Sequence, residues 1–194
     1  SAVESARYVA VAAVDGLDRI ELCDGKCVYT AAWTQYGEQY NELLRAVFNS
    51  CVKKVGHNVK DLMGLLIKEK LGTDGFVFDT ALAAYLLEAT ESDYAPERIS
   101  VRYAGRELSG TEAAFTLYPI LDGKLRELEM DKLYYSAELP LCSVLADMEN
   151  VGFYVDRGAL YQFGESLNAG IAALQESIWS HAGHEFNINS PKQL

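Results

Sequence analysis

The side chains in this sequence that could bind a metal or move a proton are spread along it. Asp15 follows an apolar run, and Asp61, Asp79 and Glu112 stand near helix starts. Hard divalent cations take several carboxylate oxygens, so a hydrolytic two-metal centre needs acids converging from separate elements. Asp61 and Glu112 read first as solvated helix-surface charges, and Asp79 before Thr80 as a helix cap. His57 follows Gly56 where a strand turns into a helix, the place of a turn or packing histidine. His181 and His184 lie three apart without an accompanying acid or cysteine cluster, which argues against zinc. Cys23 and Cys27 flank Asp24-Gly25-Lys26, a hairpin-turn pattern, and Cys51 and Cys142 stand far away. Four reduced, mostly buried thiols are expected, with neither zinc nor a disulfide.

The 194 residues are 49% hydrophobic and 23% charged, enough for one well-buried domain with a smaller appendage. Apolar runs such as Tyr8 to Val14 are far shorter than the roughly 20 residues that span a bilayer. No basic-apolar-small leader opens the chain, and a soluble, intracellular protein is expected. The net charge is −11; residues 138–194 set Arg157 and Lys192 against seven acids, a balance of −5, which leaves −6 for the rest. Such a surface repels a phosphate backbone unless basic residues are concentrated locally. By charge alone the chain should bind DNA weakly.

The elements that would position these residues follow from periodicity. Tyr8 to Val14 reads as a strand, and Arg19 to Cys23 with Cys27 to Thr30 as a hairpin. Glu38 to Phe48 is helical, Lys54 to Gly56 a short strand, and Asn58 a cap for a helix carrying Val59, Leu62, Met63, Leu66 and Ile67. Phe76 to Phe78 is a strand, followed by helices to Leu87, over Ile99 to Tyr103, and in one long run from Thr111 to Tyr135 with Leu117, Leu121, Leu125 and Leu128 on one side. The character changes near Ser136. A helix to Asn150, a turn at Gly152, a brief Phe153-Tyr154-Val155 stretch and a long helix capped by Asp156 complete the pattern. Three strands followed by two strand–helix units give a mixed sheet with helices on both faces, an α/β class.

Two stretches carry a resemblance. Glu138-Leu-Pro-Leu-Cys-Ser-Val-Leu-Ala-Asp-Met-Glu-Asn-Val-Gly-Phe-Tyr-Val-Asp156 and Glu185-Phe-Asn-Ile-Asn-Ser-Pro-Lys-Gln-Leu194 resemble the opening of the polymerase part of family A DNA polymerases, the bacterial DNA polymerase I group. Gly56-His-Asn-Val-Lys-Asp-Leu62, Phe78 to Leu87 and Val101 to Leu108 resemble successive landmarks of the same enzymes' 3′–5′ exonuclease domain. The resemblance implies a ribonuclease-H-like exonuclease fold over residues 1–136, then a helical segment, 137–194, that begins the polymerase thumb. It also implies that the polymerase's own catalytic motifs lie beyond Leu194, and that the chain, which begins without Met, is a truncated piece.

In that family the exonuclease acids are an Asp-x-Glu on the first strand, an Asp four residues after an Asn, and a Tyr-x-x-x-Asp on a later helix. Matched position by position, the strand offers Ala12 and Val14, the count from Asn58 falls on Leu62, and the last motif offers Leu108 and Glu112. Asp61 is one residue early, which turns its side chain about 100° around the helix. A degenerate, inactive exonuclease site without metal is therefore expected. The runner-up is an active metal-dependent exonuclease using Asp15, Asp61 and Glu112; a third reading is an interaction module unrelated to polymerases.

The resemblance further implies that Asn187, Asn189, Ser190 and Lys192 contact sugar and phosphate of a primer–template duplex, work for which amides and hydroxyls are suited because they bond backbone oxygens without reading bases. The same residues also fit a capped turn, with Asn189 or Ser190 capping the next helix behind Pro191 at its first position. Expected partners are primer–template DNA through the parent polymerase and the rest of the polymerase domain. Expected cofactors are none for this piece and Mg²⁺ for the missing polymerase part; the expected place is the cytoplasm, at the nucleoid. The expected parent is a DNA-directed DNA polymerase of replication and repair.

Overall fold

A computed structural model describes residues 7–193. It contains two compact units, one running to Gly152 and one from Phe153. In the first unit five strands form a mixed sheet in the order β3-β2-β1-β4-β5: β1 (Val9–Val14), β2 (Arg19–Cys23), β3 (Val28–Ala32), β4 (Lys54–Gly56) and β5 (Phe76–Asp79). β1, β2 and β3 are antiparallel neighbours, while β4 and β5 add in parallel. Asp24 makes the first turn: its carboxylate accepts the amides of Lys26 and Cys27, each at 2.9 Å.

Helices cover both faces, as alternation along β1 requires. Val11 points to one side with Ile20 and Leu22, under α1 (Glu38–Phe48) and α2 (Val59–Lys68), where Tyr40, Leu44, Phe48, Leu62 and Leu66 pack. Ala10 points to the other with Cys23, Val55 and Phe78, against α3 (Thr80–Leu87), α4 (Pro96–Ala104) and α5 (Gly110–Glu127). On α5, Leu117, Leu121 and Leu125 are fully buried, each contributing about 1.5–3 kcal/mol.

The single long helix expected from Thr111 to Tyr135 is not formed. α5 stops at Glu127, because Glu129 adopts a left-handed φ of 55° and Met130 N–H bonds Leu125 O at 2.8 Å, a closing pattern usually built on glycine. Leu128, expected on the apolar stripe, is exposed. The chain restarts at Asp131, passes through a π-helical turn at Tyr134–Glu138, and enters α6 (Leu139–Val151). A π-helical turn widens the i→i+4 ladder to i→i+5 and so re-aims the side chains around a helix; here Tyr134, which opens it, is completely buried.

By packing, α6 belongs with the first unit, although the sequence changes character near Ser136. Its Cys142 and Ala146 meet Val59 and Met63 of α2, and Ile67 joins them. Asn150 Nδ2 donates to Gly64 O at 3.2 Å, and Lys60 Nζ reaches Glu149 at 2.7 Å. Lys54 is a second pin. It is wholly buried, and its ammonium donates to the carbonyls of Ser50, Val52 and Asp74, all at 3.1 Å.

The second unit is α7 (Arg157–Ala182) with the turns after it. Asp156 caps α7 as expected, accepting Ala159 N–H at 3.0 Å, and Gly183 ends it in the left-handed region. Phe153 to Val155 is irregular backbone. Along α7, Leu160, Phe163, Leu167, Ile171, Leu174 and Ile178 are exposed. Among the described residues no helix is long and apolar enough to cross a membrane.

Candidate functional site

The positions singled out by the exonuclease motifs do not all meet. Ala12 and Val14 alternate with Ala10, so they face the α5 side of the sheet, and they pair across the ladder with Glu21 and Arg19. Leu108 is buried in the same cluster, held by Ser100, whose hydroxyl accepts the Leu108 N–H at 2.8 Å. Glu112 is exposed in the first turn of α5. A side-chain carbon on Gly110, at the start of that helix, would lie 3.1 Å from Glu21 Oε2, so this face keeps one carboxylate close to a helix N-terminus. Sequence matching had passed over Glu21, since only its ladder partner Ala12 marks it. Leu62 lies on the opposite face, packed among Val11, Tyr40 and Leu66.

The other acids are dispersed. Asp61 is exposed and lies 3.5 Å from Lys60 Nζ. Asp15, with a left-handed φ of 53°, pairs with Arg19 at 3.4 Å. Among the described residues no three His, Cys, Asp or Glu side chains gather as metal ligands. Cys23 and Cys142 are buried thiols; Cys27 and Cys51, expected to be mostly buried, are exposed because turn and loop backbone carry them. Burial pushes the Cys142 thiol up to about 11. His181 and His184 each bond a backbone carbonyl, of Ser177 and Ala182.

The densest polar arrangement centres on Asp79. Asn58 was expected to cap α2, but it sits in the left-handed region without a side-chain cap. Asp79 takes that role from 20 residues away. Its carboxylate accepts Asn58 N–H at 3.1 Å and Val59 N–H at 2.7 Å, and also Ala81 N–H at 2.9 Å and Leu82 N–H at 3.2 Å on α3. One buried carboxylate thus caps two helices, where two N-terminal dipoles favour negative charge. Burial pushes its pKa up, against the pull of those amides and of His57. Thr80 Oγ1 donates to Gly56 O at 3.2 Å, so it accepts from His57 Nδ1 at 2.9 Å, which fixes the proton on Nδ1. Burial lowers the His57 pKa, opposed by Asp79 and Glu97. This node closes backbone and packs helices; its polar atoms are already spoken for.

In the second unit, the four residues expected at the duplex lie in one loop. Asn187 Oδ1 accepts Asn189 N–H at 3.0 Å, and Asn187 O accepts Ser190 N–H at 2.9 Å. Asn187 therefore caps this first turn, and Ser190, whose carbonyl accepts Gln193 N–H at 2.9 Å, opens the next turn behind Pro191. Lys192 is exposed.

No family model matches the chain. DNA polymerase I of Caldicellulosiruptor bescii is 32% identical over 161 residues, covering 78% of this chain and 19% of that protein. The thermostable DNA polymerase I of Thermus aquaticus is 38% identical over 140 residues, covering 70% and 16%. DNA polymerase I of Bacillus caldotenax is 49% identical over 76 residues, covering 39% and 9%. The chain thus spans a fifth or less of the length of these curated relatives. Among solved structures, the POL domain of Pol1 from M. smegmatis in complex with DNA primer-template and dNTP matches with a TM-score of 0.81 and 26% identity, over 97% of this chain and 36% of that one. The mixed five-stranded α/β unit and the helices after it are the counterpart of part of a DNA polymerase chain, and this chain belongs to the bacterial DNA polymerase I family.

Proposed function

We propose that the chain is a segment of a DNA-directed DNA polymerase of replication and repair. In this reading residues 1–136 are an exonuclease-like domain of ribonuclease-H-like fold that has lost its metal carboxylates and serves as a rigid mount, and 137–194 open the polymerase thumb. The observation that carries it is the match over 97% of the chain to a polymerase domain whose structure holds primer-template. The strand order β3-β2-β1-β4-β5, antiparallel then parallel, supports the exonuclease-like fold.

A two-metal centre does not fit the residues present. Ala12, Val14 and Leu108 offer hydrocarbon on the α5 face, and Leu62 is in the core beneath the opposite one. Asp15 is engaged with Arg19, and Asp61 belongs to α2 on the far side from Glu112 and α5, which weighs against an alternative acid set. A metal held by Glu112 alone would be largely hydrated. Magnesium chemistry belongs, in this reading, to the polymerase part of the parent, in the cytoplasm at the nucleoid.

The mount is α6 on α2. Two buried contacts, an amide–carbonyl bond and an ion pair fix the first helix of the polymerase segment to the exonuclease-like sheet. Asn189, Ser190 and Lys192 supply duplex contacts, with Asn187 beside them. The rest of the polymerase is the natural cover for the exposed apolar stripe of α7. The test is direct: incubation of the purified chain with Mg²⁺ or Mn²⁺ and end-labelled single-stranded DNA leaves the DNA intact. Metal-dependent cleavage that survives repurification, and disappears in Glu112→Gln, overturns the degenerate-site reading.

A further inference from the structure

An eight-residue stretch of irregular backbone makes a poor binding element unless something orders it beforehand. Fixing one residue's backbone costs about 1–2 kcal/mol, and a loop ordered only on contact subtracts that from its affinity. Residues 186–193 form such a stretch, with no helix or strand. Yet their backbone is tied by five hydrogen bonds.

The first tie is to the helix. Gly183, with φ 75°, reverses the chain at the end of α7, and Trp179 in the last turn then donates its indole N–H to Phe186 O at 2.9 Å. Trp179 is half-buried on a helix whose neighbouring apolar residues, Leu174 and Ile178 among them, are exposed. The second tie closes the loop on itself: Gln193 Oε1 accepts Asn187 N–H at 2.9 Å. Asn187 Oδ1 and O then take the amides of Asn189 and Ser190, and Ser190 O takes that of Gln193 at 2.9 Å.

These bonds divide the loop into two kinds of residue. Asn187 has its N–H, its carbonyl and its side-chain oxygen all engaged. The side chains of Asn189, Ser190 and Lys192 make no hydrogen bond among the described residues, and those of Asn189 and Lys192 stand in solvent. We infer that Trp179 and Gln193 are positioning residues, which with Asn187 hold the loop in shape before the duplex arrives, so that Asn189, Ser190 and Lys192 meet the sugar–phosphate backbone at no further cost in loop order. This rests on the reading that the loop touches the primer–template. It assigns Asn187 to the framework rather than to the contact set.

The experiment uses the chain in three variants, Trp179→Phe, Gln193→Met and Gln193→Glu, with Lys192→Ala and Asn189→Ala as the contact controls. Trp179→Phe keeps a ring and removes only the indole donor; Gln193→Met keeps length and removes the acceptor; Gln193→Glu restores an acceptor. Amide hydrogen exchange at Asn187 and titration with a primer–template duplex at low salt are the two readouts. Gln193→Met is expected to speed exchange at Asn187 by roughly tenfold and to weaken the duplex by about three- to tenfold. Gln193→Glu restores slow exchange, and Trp179→Phe weakens the duplex by a similar factor. If exchange at Asn187 does not change in Gln193→Met, the loop is not held as inferred, and the inference falls. If exchange quickens but affinity stays, while Lys192→Ala lowers it, the loop contacts DNA without needing to be preformed; the inference falls and the duplex reading stands. If Lys192→Ala and Asn189→Ala both leave affinity unchanged, the duplex reading itself falls, and the inference with it.

Discussion

The Tyr134 hydroxyl stands between the two backbone groups of Asp79, accepting its N–H at 2.6 Å and donating to its carbonyl at 3.0 Å. Asp79 is the last residue of β5, at an open end of the sheet, and its carboxylate at the same time caps α2 and α3. One tyrosine from the π-helical turn thus satisfies the backbone of the residue that starts two helices. Tyr134→Phe keeps the ring against Phe78 but leaves a donor and an acceptor bare in a fully buried place. Each unsatisfied group costs about 1–3 kcal/mol. Urea unfolding of Tyr134→Phe should show a loss of about 2–4 kcal/mol with an unchanged m-value; a loss within experimental error would mean that the two bonds do not hold the strand end.

Alkaline pH should unfold the protein early, through the same class of residue. Burial pushes the Tyr40 phenol up to about 12, with Asp18 adding to it, and Tyr40 donates to Leu17 O at 2.8 Å. Burial also raises Tyr134 and Tyr135. In the unfolded chain a tyrosine ionises near pH 10. Between that value and the folded one the unfolded state binds fewer protons, so stability falls with rising pH. The contribution is complete below pH about 10 and is lost on the way to about 12 for Tyr40. Urea midpoints at pH 8, 10 and 11 should decline, and the deficit of Tyr40→Phe relative to the parent should shrink over the same interval. A deficit that stays constant would refute the assignment.

Much of the framework could be read from the residues alone. The helix Glu38–Phe48 and the strand Lys54–Gly56 fall where the 3.6-residue and strand patterns put them, and the hairpin turns at Asp24-Gly25. What stayed hidden was long-range. Asp79 was legible as a cap for the helix after it, from its place before Thr80, but its bonds to Asn58 and Val59 depend on β4 and β5 lying side by side. Nothing in Lys53-Lys54 says that the second lysine is wholly buried under three carbonyls while the first is exposed. The stop after Glu127 was missed because a glutamate, not a glycine, takes the left-handed position. Glu21 went unseen because ladder register, not sequence spacing, sets it opposite Ala12.

Lys54 gives a test of that hidden class. Lys54→Met preserves most of the buried volume and removes three charge-assisted hydrogen bonds to Ser50, Val52 and Asp74. The removed ammonium was itself costly to bury, and burial lowers its pKa, so the net effect is smaller than three lost bonds. A destabilisation of about 1–3 kcal/mol is expected, with faster amide exchange at Lys54, whose N–H donates to Gly75 O at 2.7 Å and ties the start of β4 to the turn before β5.

Restoring acids where the family carries them separates a lost site from a merely altered one. Leu62→Asp puts a carboxylate among Val11, Tyr40 and Leu66, where it has neither partner nor water. An unpaired charge in such surroundings costs about 3–5 kcal/mol, so this variant should be strongly destabilised at neutral pH and regain part of its stability as the pH falls and the carboxyl protonates. Ala12→Asp with Val14→Glu is different. Both positions are half-buried beside Glu21 and Arg19, so the double variant should fold, with its new acids close to Glu21 and Glu112 on one face. It should bind Mn²⁺ more tightly than the parent, as calorimetry can measure, because two added carboxylates give the ion the oxygen ligands it lacked. Without an acid from α2 on that face, it should still leave single-stranded DNA uncut. Manganese-dependent cleavage by the double variant would show that the pocket had kept everything but two side chains, and that Leu62 was never part of what was missing.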